Sequence, residues 1–210
     1  MPQSNNPERD NQKFSLCGIN HLALVCKDMQ RTVDFYSGVL GMPLIKTLDL
    51  PSGMGQHFFF DIGNGDSLAF FWFPGAPEAQ QGVSSPDTET FFNPKAELTT
   101  AHASMNHVAF DVEPEQMEEY RERLVEAGVR VTPIINHDNS PSQVSMEWTD
   151  ATFVRSMYFF DPDGILLEFA AWTTVFDESD VSHTPAVAAD AARYLEQQRA
   201  GKQAVGASGD

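Results

Sequence analysis

The sequence predicts an α+β protein built from two tandem βαβββ modules, and three observations predict it. The segment Ile19-Asn20-His21-Leu22-Ala23-Leu24 returns 86 positions later as Met105-Asn106-His107-Val108-Ala109-Phe110. Each copy alternates and is rich in β-formers, and each is followed by a stretch with helical spacing. Each half then closes on a pair of strands joined at a glycine turn.

Taken in order, the first repeat segment reads as a strand. Asp28 can cap a helix carrying Met29, Val33, Tyr36 and Leu40 on one face and ending before Gly41. Phe59-Phe60-Asp61, the turn Gly63-Asn64-Gly65 and a last strand from Ser67 to Phe73 complete the first module. In the second, Glu113-Pro114 opens a helix with Met117, Tyr120 and Leu124 apolar, stopping at Gly128. Phe159-Phe160-Asp161 aligns with Phe59-Phe60-Asp61, and Pro162-Asp163-Gly164 leads into a strand from Ile165 to Trp172. The resulting division is a flexible N-terminal arm (1–17), a first module (18–74), a Pro/Gly/Ser-rich linker (75–103), a second module (104–174) and a tail (175–210). The tail holds a short alanine-rich helix near Ala186–Ala200.

Composition narrows the partners. The formal net charge of −17 repels phosphate backbones and anionic lipid heads, so neither nucleic acid nor a membrane surface is an expected partner. Two cysteines, Cys17 and Cys26, are too few for a disulfide scaffold, and Cys26 reads as a buried free thiol. No leader and no apolar run of spanning length is seen, so a cytoplasmic location is expected.

His21 and His107 occupy one position of the repeat, each on a strand face with small or apolar neighbours. A single strand histidine is usually a core residue bonded to a carbonyl, but two at equivalent positions point to a shared site. Glu168 lies in the otherwise apolar run Leu166-Leu167-Glu168-Phe169, where an ionised carboxylate needs a cation or a partner. Its repeat mate is Ala69. Two imidazoles and one carboxylate leave coordination positions open, as suits one divalent metal. Fe(II) is the first expectation, with Mn, Ni, Co or Zn as alternatives. Phe71 and Phe73 share the face of Ala69 and could wall an apolar substrate pocket.

Asn20-His21-Leu22-Ala23-Leu24, Thr32-Val33-Asp34-Phe35-Tyr36, Val39-Leu40-Gly41-Met42, Asn106-His107-Val108-Ala109-Phe110 and Tyr158-Phe159-Phe160-Asp161-Pro162-Asp163-Gly164 together resemble the glyoxalase/bleomycin-resistance/dioxygenase family. This family is also called the vicinal-oxygen-chelate superfamily. The likeness covers about Gly18 to Trp172 and implies one open curved sheet, a cup around a metal, and a homodimer. Ala69 stands where glyoxalase I and methylmalonyl-CoA epimerase carry a metal-binding Glu or Gln. The His, His, Glu set is similar to that of type I extradiol dioxygenases, which act on a small aromatic or vicinal-oxygen substrate with dioxygen. That likeness implies Tyr158 as a hydrogen-bond donor beside the metal and His137 or Asp66 as proton carriers. Asp66 departs from the histidine expected there, and a turn residue is its plainer reading. His137 reads equally as an exposed loop histidine. Repeat parity turns His57 and Arg155 away from the face of Tyr158, which makes His57 structural and Arg155 a surface ion pair. His102 and His183 read as rim and tail. Two rival classes stay open: a non-redox glyoxalase, lyase or isomerase of the same superfamily, and a metal-free small-molecule-sequestering resistance protein.

Overall fold

The computed structural model describes residues 19–51, 54–76, 88–93 and 105–180, with scattered positions from 189 to 200. The arm at 1–17, His102, His183 and most of the tail helix lie outside the described residues. The chain divides into two compact units, Met1–Val175 and Phe176–Asp210. In the second unit, a short turn at Glu178–Asp180 is held by Asp177 N–H donating to Asp180 Oδ2 at 2.7 Å.

Both modules belong to the first unit. Module one runs β1 (His21–Cys26), α1 (Met29–Val33), β2 (Leu44–Asp49), β3 (Gln56–Gly63) and β4 (Asp66–Trp72). Asp28 caps α1 by accepting from Arg31 N–H at 3.0 Å, because its extended backbone turns the carboxylate onto the free amides of the first turn. A wider helical turn at Asp34–Val39 continues α1, and Gly41 ends it at φ +72, a conformation glycine adopts without strain. The short helix α2 (Thr88–Phe91) follows in the stretch between modules, where the sequence predicts only linker.

Module two runs β5 (Val108–Asp111), α3 (Met117–Glu126), β6 (Ile135–His137), β7 (Val144–Ser145), β8 (Val154–Phe160) and β9 (Leu166–Trp172). Its helix enters through a tight turn at Pro114–Gln116 and ends at Gly128, φ +78. The two-residue β7 is an addition to the βαβββ pattern.

The sheets are ordered β1-β4-β3-β2 and β5-β9-β8-β6-β7. In each, the module's first and last strands pair in parallel, and every other pair is antiparallel. Strand alternation sends Leu68 and Phe70, and Phe159 and Leu167, to the side of each sheet that carries its helix. There they join Tyr36, Phe60 and Met117 in one core of side chains at 0% exposure. Each such large side chain contributes about 1.5–3 kcal/mol by leaving water. The opposite faces carry His21 and His107.

The modules are clasped by the β8–β9 turn. Asp161 Oδ1 accepts from Asp163 N–H at 2.9 Å and Ile165 N–H at 2.8 Å, closing the turn, while Gly164 takes φ +86. Asp161 Oδ2 accepts from the buried Tyr36 hydroxyl at 3.2 Å, and Asp163 accepts from Lys27 N–H at 2.8 Å. Burial pushes the Asp161 carboxyl up to about 6, and burial likewise raises the Tyr36 phenol.

The strand register corrects the alignment of the repeat. Tyr158 pairs across with Glu168 as Phe59 pairs with Ala69, so both equivalences span 99 positions. Phe59 is therefore the mate of Tyr158, not of Phe159. Ten positions separate the partners in both hairpins, so the slip lies in the letters: Phe-Phe-Asp stands one place further from the turn in β3 than in β8. One consequence is that His57 faces the same way as His21, against the sequence expectation.

Candidate functional site

The site gathers on the open face of the second sheet. His107 directly precedes β5, with the parity of Ala109, and Ala109 lies opposite Glu168 on β9. His107 Nε2 approaches Glu168 Oε2 to 2.8 Å. The Glu168 residue is only 5% exposed, so a charged carboxylate there has exchanged water for this contact. Tyr158 lies beside both: it is the cross-strand neighbour of Glu168, and its ring meets that of His107 edge-on at 5.8 Å.

The protonation pattern is set one residue earlier. His107 Nδ1–H donates to Asn106 Oδ1 at 2.6 Å, and His21 Nδ1–H donates to Asn20 Oδ1 at 2.8 Å. An amide oxygen can only accept, so Nδ1 carries a hydrogen, and in the neutral imidazole Nε2 keeps its lone pair. At His107 that lone pair is aimed at a carboxylate oxygen, a contact that is favourable only with a proton or a metal cation between the two atoms. The donor chemistry thus fits a divalent ion. The Glu168 hydrogen bond raises the His107 imidazole above its ordinary value. Burial pushes Glu168 up, but its hydrogen bonds, led by that from His107, bring the carboxyl below the ordinary value overall. Burial pushes the Tyr158 hydroxyl up to about 12, which keeps it a neutral donor.

His21 is placed elsewhere. It sits on the open face of the first sheet, with its ring 5.7 Å from Phe59. Among the described residues no three of His, Cys, Asp or Glu form a group placed to hold one ion. The structure therefore brings together His107, Glu168 and Tyr158 and leaves His21 out of that group.

The remaining candidates separate. Asp66 opens β4 with the parity of Leu68 and Phe70, so it belongs to the helix-bearing side and does not face His21. His137 does share the face of Tyr158, but lies opposite Val154, four residues along β8 from Tyr158. A separation of four strand residues is roughly 13 Å, beyond direct reach of the pair. Phe71 stacks on His57 at 3.6 Å and on Phe73 at 5.3 Å, forming an aromatic strip on the first sheet's open face. Burial lowers the His57 imidazole. Arg155, expected as a surface ion pair, is buried at 3% exposure on the helix side. It donates to Asn136 Oδ1 at 3.1 Å, to Pro114 O and Glu118 Oε1 at 2.5 Å, and its guanidinium lies over Trp148. Three acceptors and a ring account for the burial of that cation.

Two contributors escaped the sequence reading. The asparagines were legible as Asn-His written twice, but their role needed the bond geometry. Phe91, whose ring meets that of Tyr158 edge-on at 5.8 Å, had no sequence signal, since it comes from a linker with no periodicity.

Two sheets of this topology, each with its histidine strand paired parallel to its last strand, define a class of paired βαβββ proteins. The profile of the Glyoxalase/Bleomycin resistance protein/Dioxygenase superfamily matches residues 18–169, and the chain belongs to that superfamily. It is 28% identical over 152 residues to the metallothiol transferase FosB of Shouchella clausii, covering 72% of this chain and 77% of that protein. It is 26% identical over 159 residues to the fosfomycin resistance protein FosX of Listeria innocua, covering 75% and 92%. To the putative ring-cleaving dioxygenase MhqE of Bacillus subtilis it is 24% identical over 182 residues, covering 78% of this chain and 59% of that one. Members of the superfamily bind a divalent metal and act on small molecules. No helix among the described residues is long and apolar enough to cross a membrane.

Proposed function

We propose that the chain is a divalent-metal-dependent enzyme of the extradiol-oxygenase kind, acting on a small substrate. The carrying observation is the 2.8 Å approach of His107 Nε2 to the buried Glu168 carboxylate, with Nδ1 already committed to Asn106. These two residues would hold the ion. His21, their repeat-related counterpart with the same Asn clamp, would supply the third donor from a second copy of the chain. Two imidazoles and a carboxylate suit Fe(II) and leave positions for substrate and dioxygen. When bound, such a metal supplies Lewis acidity and, as iron, a route for electrons. Tyr158 keeps its proton and offers its hydroxyl to an oxygen of the substrate. The surrounding apolar strands exclude water from one side of the pair.

A non-redox metal enzyme is the second reading, and it has its own support. Of the expected proton carriers, Asp66 does not face the pair and His137 shares its face but lies beyond direct reach, and ring cleavage needs such a carrier more than group transfer does. The likeness to a metallothiol transferase fits that reading, as the likeness to a ring-cleaving dioxygenase fits the first.

Protein loaded anaerobically with Fe(II) is expected to consume oxygen with a panel of catechols, and Zn(II)-loaded protein is expected to be inactive. Oxygen-independent activity with Zn(II) would replace the first reading by the second. Glu168→Gln and His107→Ala are expected to lose about one bound ion per chain. Retention of full metal content in both would sink the two readings together.

A further inference from the structure

We propose that Phe91, brought in by the helix between the modules, is a specificity-determining wall of the site and favours a ligand with an uncharged aromatic ring. The inference rests on the reading of His107, Glu168 and Tyr158 as the site. Phe91 meets the Tyr158 ring edge-on at 5.8 Å and Phe160 at 5.4 Å. Tyr158 in turn faces His107 at 5.8 Å, so Phe91, Tyr158 and His107 form one run of rings leading to the Glu168 carboxylate. Phe91 is half-buried.

A four-residue helix has no stability of its own, so its place must be fixed by what it touches. Phe92 packs on Phe160 at 6.1 Å, the Arg130 guanidinium lies over the Phe92 ring at 4.1 Å, and Arg130 pairs with Glu89 at 3.3 Å. These contacts anchor α2 beside Phe160.

Charge points the same way. The open face near Tyr158 carries Ser156, Ile135 and Ala170 together with the carboxylates of Glu168 and Asp111. Among the described residues, Arg130 is engaged there with Phe92 and Glu89. With Glu168 occupied by the ion, an anionic ligand reaching beyond it towards Asp111 would meet that carboxylate and would have to take Arg130 from its partners. A planar uncharged ring meets the edges of Phe91 and Tyr158 in the geometry aromatic pairs prefer.

The test is calorimetric titration of full-length Zn(II)-loaded protein with catechol, trans-cyclohexane-1,2-diol and propylphosphonate. Catechol is expected to bind about tenfold more tightly than the saturated diol, and more tightly than the phosphonate. Phe91→Ala is expected to bring catechol and the saturated diol within about twofold to threefold, while Phe91→Tyr keeps the ratio. Metal content and unfolding temperature, measured alongside, are expected to stay unchanged in both variants. The proposal is overturned if the phosphonate binds as tightly as catechol, or if Phe91→Ala leaves the ratio intact. The same titrations in metal-stripped protein separate the two readings, since ring contact needs no metal. A ring preference that persists while the protein takes up no ion would sink the metal reading and keep this one. Metal uptake without any ring preference would do the reverse.

Discussion

At the scale of the residue, the proposed site would depend on an asparagine as much as on a histidine. Asn106 holds the hydrogen on Nδ1, and that leaves His107 Nε2 as the nitrogen that can coordinate. Asn106→Leu is expected to weaken metal binding by about 10–100-fold without unfolding the chain, as read by competition with a chelating dye. An unchanged affinity would mean that the imidazole needs no such support. The repeated histidine and the lone carboxylate were both legible in the sequence, because an ionisable group in an apolar strand demands a reason. Their distances were not legible, since one sequence position fixes parity but not which strands face each other. Arg155 shows the same limit: its parity was read correctly, yet its burial depends on Asn136, Pro114 and Glu118, which come from other elements.

At the scale of the element, the β8–β9 hairpin does two jobs. Tyr158 and Glu168 stand partway along its strands, and its turn clasps module one through Asp161 and Tyr36. The Asp-Pro-Asp-Gly turn was read from sequence as a family mark. The structure gives it a physical role in joining the modules. Asp161 has its carboxyl pushed up to about 6 by burial, so the folded chain holds that proton more tightly than the unfolded one. The associated stability is complete below about pH 4 and is lost as pH rises through 6, roughly 3 kcal/mol in all. Urea unfolding midpoints are expected to fall over that window in the native protein and to flatten in Asp161→Asn. A midpoint that rises from pH 4 to 6 by the Asp161 contribution would contradict the assignment. The hairpin also shows where repeat alignment failed. Matching Phe-Phe-Asp to Phe-Phe-Asp was the best match of letters, but the motif stands one place further from the turn in β3 than in β8, and that one-residue offset turned His57 to the other face.

At the scale of the whole molecule, the tandem βαβββ architecture was legible because the repeat reaches both the strand pattern and the helix caps. The grouping of the metal donors was not, because it depends on how modules are arranged in space. In the shared-site reading, His21 of one chain serves His107 and Glu168 of another. His21→Ala and His107→Ala proteins, each expressed alone, are expected to bind almost no metal. When co-expressed and isolated as a mixed pair, they are expected to recover about one ion per two chains, since one of the two sites is then intact. A mixed pair as empty as its parents would place all donors within one chain.

The 99-position register gives the duplication its chemical meaning. Where one sheet presents a carboxylate and a phenol, Glu168 and Tyr158, the other presents a methyl and a phenyl, Ala69 and Phe59, beside an equally well-held imidazole at His21. The fold is written twice, but this pair of polar groups stands in the second copy alone. In the proposed reading, one sheet of each chain would bring the carboxylate and phenol and the other only an imidazole for a second copy.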